Sequence, residues 1–292
     1  MKSILSILLF ILLGYSASAQ DDLEQLLNNE MPEETNFTTA TFKATRVLNG
    51  HSIERMKAGQ LDFRIHHRFG LVNSGFKNFY GLDGANTHLG LEYGFTDWFM
   101  LGIGRGTYQK AFEGLSKFSI LRQSSGKVNM PLSLSIFSSI TIDSREWTKN
   151  RTNYFTSRLS YVHQILVARK FNDRLSLQLS PSFIHRNMVS TELEPNDLFA
   201  CGFSGRYKLS NRISFNAEYY LLINAPNNHF ETPIYHPLAI GFDIETGGHV
   251  FQLMLTNSEP ITEKGFIGET YGSWLNGDIH FGFNISRVFT LK

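Results

Sequence analysis

Residues 59–70 read Gly-Gln-Leu-Asp-Phe-Arg-Ile-His-His-Arg-Phe-Gly. Leu61, Phe63, Ile65 and Phe69 fall on one parity, and Asp62, Arg64, His66 and Arg68 on the other. Side chains alternate across a strand, so this stretch is expected to carry one apolar face and one polar face. The pattern recurs downstream. Leu89, Leu91, Tyr93 and Phe95 oppose His88, Gly90, Glu92 and Gly94. Leu175, Leu177, Leu179 and Phe183 oppose Ser176, Gln178, Ser180 and Ser182. Leu238, Ile240, Phe242 and Ile244 oppose Ala239, Gly241, Asp243 and Glu245. About twelve such segments follow one another, each long enough to cross a bilayer at a tilt.

The connections are unequal. Tight turns are expected at Thr96-Asp97, Ser124 to Lys127, Asn172-Asp173, Ser210-Asn211 and Gly247-Gly248. They alternate with longer connections at 71–85, 108–111, 143–153, 188–197, 224–237 and 257–276. Short turns at one end and long loops at the other mark a transmembrane barrel, and an even strand count leaves both termini on the turn side. The expected fold is therefore all-β: an up-and-down antiparallel transmembrane β-barrel over residues 59–292.

Upstream of it the chain changes character. Lys2 followed by the apolar run Ile4 to Leu13 and by Ala17-Ser18-Ala19 reads as a signal peptide over residues 1–19. That run is too short to span a bilayer as a helix. Residues 20–58 begin acidic, with Asp21, Asp22, Glu24, Glu30, Glu33 and Glu34, and read as a periplasmic extension that is ordered only if it docks. Aromatic residues at 13% exclude a disordered chain. A net charge of +1 gives no basic stripe for nucleic acid. A single cysteine, Cys201, excludes an intramolecular disulfide framework.

Alternation alone does not separate a membrane barrel from a soluble one. The polar faces carry many small residues, such as Gly90, Gly102, Ser133, Ser180 and Gly241, which suit a crowded lumen. Tyr93, Phe95, Trp98, Phe99, Phe171, Tyr207 and Phe289 gather at one level, as an interfacial girdle does. Both features favour lipid over a secreted β-sandwich or soluble barrel. The runs His66-His67-Arg68-Phe69-Gly70, Phe79-Tyr80-Gly81-Leu82-Asp83-Gly84-Ala85-Asn86, Gly90-Leu91-Glu92-Tyr93-Gly94 and Gly102-Ile103-Gly104-Arg105 carry a further signal. On them the chain, from about Phe42 to the C-terminus, resembles a family of predicted outer-membrane β-barrels catalogued as domain of unknown function 5777. The resemblance implies a barrel in the outer membrane of a diderm bacterium, and implies no activity.

With the polar faces inward, the lumen-lining candidates are Arg64, His66, Arg68, His88, Glu92, Arg158, Arg206, Glu218, Asp243 and Glu245. Acids and bases roughly balance. They can fill a narrow lumen as paired charges, or line a conduit for small polar solutes. A first hairpin centred on Asn78 would set Arg68 opposite His88 and Arg64 opposite Glu92. His66, His88 and a carboxylate could hold a transition metal, but the neighbouring arginines oppose it, so no metal and no cofactor is expected. His163, His185, Ser138 and Ser157 share the outward parity, yet no Gly-x-Ser-x-Gly elbow exists, so no catalytic residue is assigned. Gly102 to Gly106 lacks the helix that a phosphate loop needs. The leading expectation is an outer-membrane channel or uptake barrel whose partners are membrane lipid and small polar solutes. The rival is a structural or accessory barrel that binds a protein partner through its loops or N-terminal segment. A barrel hydrolase comes third.

Overall fold

The computed structural model describes residues 34–146, 152, 154–224 and 232–291. The expected signal peptide over residues 1–19 and the acidic residues before Glu34 lie outside the described residues. Twelve strands close into one antiparallel barrel. They are β2 (Gln60–Leu71), β3 (Ala85–Gly94), β4 (Phe99–Gly106), β5 (Phe112–Leu121), β7 (Ser133–Ile142), β8 (Leu159–Lys170), β9 (Leu175–Arg186), β10 (Asp197–Lys208), β11 (Ile213–Leu222), β12 (Leu238–Thr246), β13 (His249–Thr256) and β14 (His280–Thr290). Each pairs with its neighbour in sequence, and β14 closes on β2. Two three-residue strands, β1 (Thr35–Phe37) and β6 (Ser124–Gly126), pair outside the wall.

Parity places the faces as expected. Phe63, Leu89 and Ile103 look outward and stay 38%, 47% and 66% exposed, while Asp62, His88 and Met100 look inward and are buried. At the turn end Tyr93 meets Phe95 edge-on at 4.9 Å and Phe99 stacks on Phe118 at 4.5 Å, which builds part of the girdle. Among the described residues, no helix is long and apolar enough to cross a membrane.

Two local expectations are corrected. The β2–β3 hairpin is centred on Lys77, so His66 faces His88, Asp62 faces Glu92 and Arg68 faces Asn86. The cause is the connection, where short 3-10 turns at Val72–Ser74 and Phe76–Gly81 replace a symmetric loop. The expected tight turn at Ser124 to Lys127 is a longer excursion that carries β6, pinned by a Ser124–Met130 bridge. β1 of the N-terminal chain docks on this excursion, along β6.

Candidate functional site

The lumen is filled by the chain itself, from both ends. Leaving β1, the chain ties Thr38 N–H to the Gln123 carbonyl at 2.8 Å and enters the barrel at the turn end. Nearly every residue from Thr41 to Met56 is buried. The segment doubles back at a turn in which Val47 N–H donates to Gly50 O at 2.8 Å, with Arg46 bridging to His51. It leaves where it entered: Ala58 N–H donates to Asp97 Oδ1 at 3.2 Å, and Gly59 N–H to Gly94 O at 2.9 Å. Gly94 is required there, since a Cβ would lie 2.1 Å from the Lys57 carbonyl oxygen.

An irregular segment leaves its backbone groups unpaired, and a buried unpaired group is costly. The wall supplies the partners. Glu218 accepts from Asn49 N–H at 2.7 Å and Gly50 N–H at 3.2 Å. Gln252 donates to Val47 O at 2.7 Å, Asn284 to Leu48 O at 2.8 Å and Gln178 to His51 O at 2.8 Å. Lys117 donates to Ser52 O at 2.9 Å and Glu54 O at 2.7 Å. Arg68 donates to Asn49 Oδ1 at 2.9 Å, and Glu92 accepts from the Thr45 hydroxyl. Phe42, Val47 and Ile53 of the segment pack on Met100, Leu115, Phe137 and Leu166 of the wall.

From the loop end the β13–β14 connection descends. Its helix α1 (Glu263–Gly268) is wholly buried and capped by Thr262, whose hydroxyl accepts from Gly265 N–H. Phe266 and Ile267 pack among Val162, Ile184, Leu198 and Tyr220. The two segments meet in mid-lumen. Arg46 Nη1 lies 2.7 Å from Glu263 Oε1, both groups fully enclosed, and His51 Nε2 lies 3.8 Å from the same oxygen. Around this junction Glu113 stands 3.9 Å from Arg46 and 3.4 Å from His88, and the His66 and His88 rings stack at 5.6 Å.

Eight of the ten lumen-lining candidates are buried in this filling: Arg64, His66, Arg68, His88, Glu92, Arg206, Glu218 and Asp243. Arg64 pairs with Asp62 at 2.7 Å and reaches Glu92 diagonally at 3.9 Å. Arg206 donates to Ala40 O at 3.1 Å, and Asp243 accepts from Gln252 at 2.9 Å. Glu245 stands at the turn-end opening in an ion pair with Lys43. Arg158 stands at the loop-end opening and donates to the carbonyls of Asp143 and Arg145. Among the described residues no group of three or more His, Cys, Asp or Glu side chains is arranged to hold a metal. Lys117, Gln178, Gln252, Asn284 and Glu263 belong to the junction but were not singled out from sequence. Their signal was weak: polar residues on the inward parity, or, for Glu263, a charge inside a loop.

Above α1 the loop end opens into a polar cavity of about 520 Å³ and one of mixed lining of about 500 Å³, which share Tyr108, Glu269 and Tyr271. Arg145, Arg158, Arg186 and Lys264 line the larger one together with Asp143 and Glu194. Gln109, held at φ 52°, donates to both oxygens of Glu269 and accepts from Lys264 at 2.8 Å. Such left-handed strain in a non-glycine residue persists only where the surroundings impose it. Burial, then Glu269 and Glu194, push the Tyr271 hydroxyl up to about 12, so it stays a neutral donor. Burial raises the Asp143 carboxyl, but hydrogen bonds from Arg145 outweigh it and hold the group below the ordinary range.

On the outer wall Ser138 Oγ lies 2.9 Å from His163 Nδ1, and His185 Nδ1 lies 2.6 Å from Asp197 Oδ1. The serine and the acid are thus on different histidines, and no Ser–His–acid relay is assembled from these four residues.

The family model described as "Membrane bound beta barrel domain (DUF5777)" matches residues 42–289. No curated protein matches the chain. Solved structures similar to it include the NanC porin, 9% identical over 80% of this chain and 99% of that one, with a TM-score of 0.48. The KdgM porin is 10% identical over 79% and 99%, with a TM-score of 0.46. An outer membrane channel from Pseudomonas putida F1 is 12% identical over 81% and 98%, with a TM-score of 0.48.

Proposed function

The chain belongs to the family of membrane-bound β-barrel domains, and from that premise we propose that it is an outer-membrane uptake barrel for small polar solutes, closed at rest by its own N-terminal segment. In this reading the loops face the cell exterior and the turns face the periplasm. A solute collects in the polar vestibule above α1 and passes when the junction at Arg46 and Glu263 parts. One observation carries the reading: the polar vestibule rests on α1 through Lys264, Gly268 and Glu269, and beneath it the first residue of that helix, Glu263, meets Arg46 of the N-terminal segment with no covalent tie between the two. The N-terminal segment enters and leaves at the same end, so it can withdraw without threading. Its contacts to the wall include many hydrogen bonds, which water can replace at low net cost.

Conductance of the refolded full chain in a planar bilayer tests this. The wild type is expected to stay closed with rare openings. Arg46→Ala, and separately a chain lacking residues 41–56, should open far more often. A barrel that stays sealed in both variants, with its heat-modifiable gel shift intact, would sink the conduit. The filled lumen favours one other reading, a structural barrel whose N-terminal segment docks a periplasmic partner. A sealed pore together with partner capture through residues 20–37 would support it.

A further inference from the structure

Two apolar recesses in the outer wall share one construction. The first, about 640 Å³, lies over the cross-strand pair Gly205 and Ala217, with Leu177 opposite Gly205 and the Phe203–Tyr219 pair in the next row. The second, about 540 Å³, lies over Gly114, which pairs with Ile103 and Ile140. In each, a small residue sits in a row of large ones, so the wall is dented without a gap in its hydrogen bonding. At the rim of each dent an arginine lies over a phenylalanine ring. Arg169 is 5.1 Å from the Phe171 centroid at the turn end, and Arg105 is 4.7 Å from that of Phe112 at the loop end. Stacking engages the face of a guanidinium and keeps its in-plane N–H groups for an oxyanion.

An apolar trough that ends in a cation at the interface matches a ligand with an acyl chain and a phosphate. We propose that the turn-end recess binds an anionic phospholipid, with one acyl chain over Gly205 and Ala217 and the phosphate on Arg169. The charge beside the recess agrees: Arg174, Lys208 and Arg212 stand at the same end with Lys170, against Asp173 and Glu245. A cation near a membrane surface favours an anionic headgroup over a zwitterionic one.

The test is native mass spectrometry of the full chain in detergent, titrated with phosphatidylglycerol or phosphatidylcholine. Phosphatidylglycerol should be retained in preference. Arg169→Gln, at an exposed rim, should weaken its retention roughly fivefold. Ala217→Leu, which fills the trough, should abolish the preference, and Lys77→Gln, exposed at the opposite end of the barrel, should leave it largely intact. Equal retention of the two lipids, or no response to Arg169→Gln, would overturn the proposal. So would an Ala217→Leu variant that turns a dimer into a monomer at unchanged lipid retention, since the recess would then be an interface between copies.

Discussion

Arg46 and Glu263 are each enclosed, and each is the other's partner at 2.7 Å. Removing Arg46 takes away the close partner of Glu263 and leaves His51 at 3.8 Å beside it, and breaking an enclosed pair costs roughly 3–5 kcal/mol. Here the segment can move, so Arg46→Ala should loosen the N-terminal segment and spare the barrel. A probe thiol at Leu48, with Cys201 replaced by serine, should react faster in Arg46→Ala than in its parent. Adding Glu263→Gln should recover much of the protection. An unchanged rate would mean that the wall contacts alone hold the segment. Asp143 offers a pH test at the same scale. Its carboxyl is depressed because Arg145 outweighs burial, so the bond to Arg145 persists above the ordinary aspartate value of about 3.9 and is lost only as the pH falls through a lower value. A carbon-13 titration of Asp143 should show that low midpoint. In Arg145→Ala the guanidinium is gone while the backbone N–H of residue 145 and Lys264 still favour the carboxylate, so the midpoint should rise toward the ordinary value.

At the scale of the strand, neighbours face opposite surroundings. Phe242 is 44% exposed on the outer wall, while Asp243 is buried and accepts from Gln252. Phe242→Arg places a charge against lipid and should cost roughly 2–4 kcal/mol near mid-bilayer. Asp243→Asn should keep the barrel and alter the hold on Gln252, which grips the Val47 carbonyl. A membrane-restricted quencher should reach a probe at 242 and miss one at 243; the opposite result would reverse the register of β12. This parity was fully legible in the sequence, because one amphipathic repeat dictates it residue by residue. The hairpin centre was not, since it depends on how 3-10 turns take up residues 72–81, a matter of loop geometry. The filling of the lumen left a trace that alternation hid. Phe137, Val162, Leu166, Ile184 and Leu198 are apolar on the inward parity, which a watered lumen has no use for. They match Phe42, Val47 and Ile53 in the N-terminal segment and Phe266 and Ile267 in a loop. The hydrogen-bonding roles of Glu218 or Gln252 could not be read from sequence, because their partners lie far away along the chain and have no regular pattern of their own.

At the scale of the whole molecule, the unequal ends give an orientation that can be checked on intact cells. Cysteines introduced into residues 188–195 should be labelled from outside, and those at Asn172-Asp173 and Ser210-Asn211 should be protected. The reverse pattern would turn the vestibule toward the periplasm and remove the entry route. The seam between β2 and β14 carries one more implication. It joins the first wall strand to the last, so the ring stays open until Thr290 has found Gln60. Until then the charged inner faces of Arg64, Arg68 and Glu218 have no enclosure, and the N-terminal segment has no complete socket. Such a distant pairing is slow to form. The N-terminal segment therefore waits for the last strand of the chain. The segment that closes the finished lumen is present from the outset as a form around which the nascent wall can curl, so its loss should delay assembly as well as unseal the product.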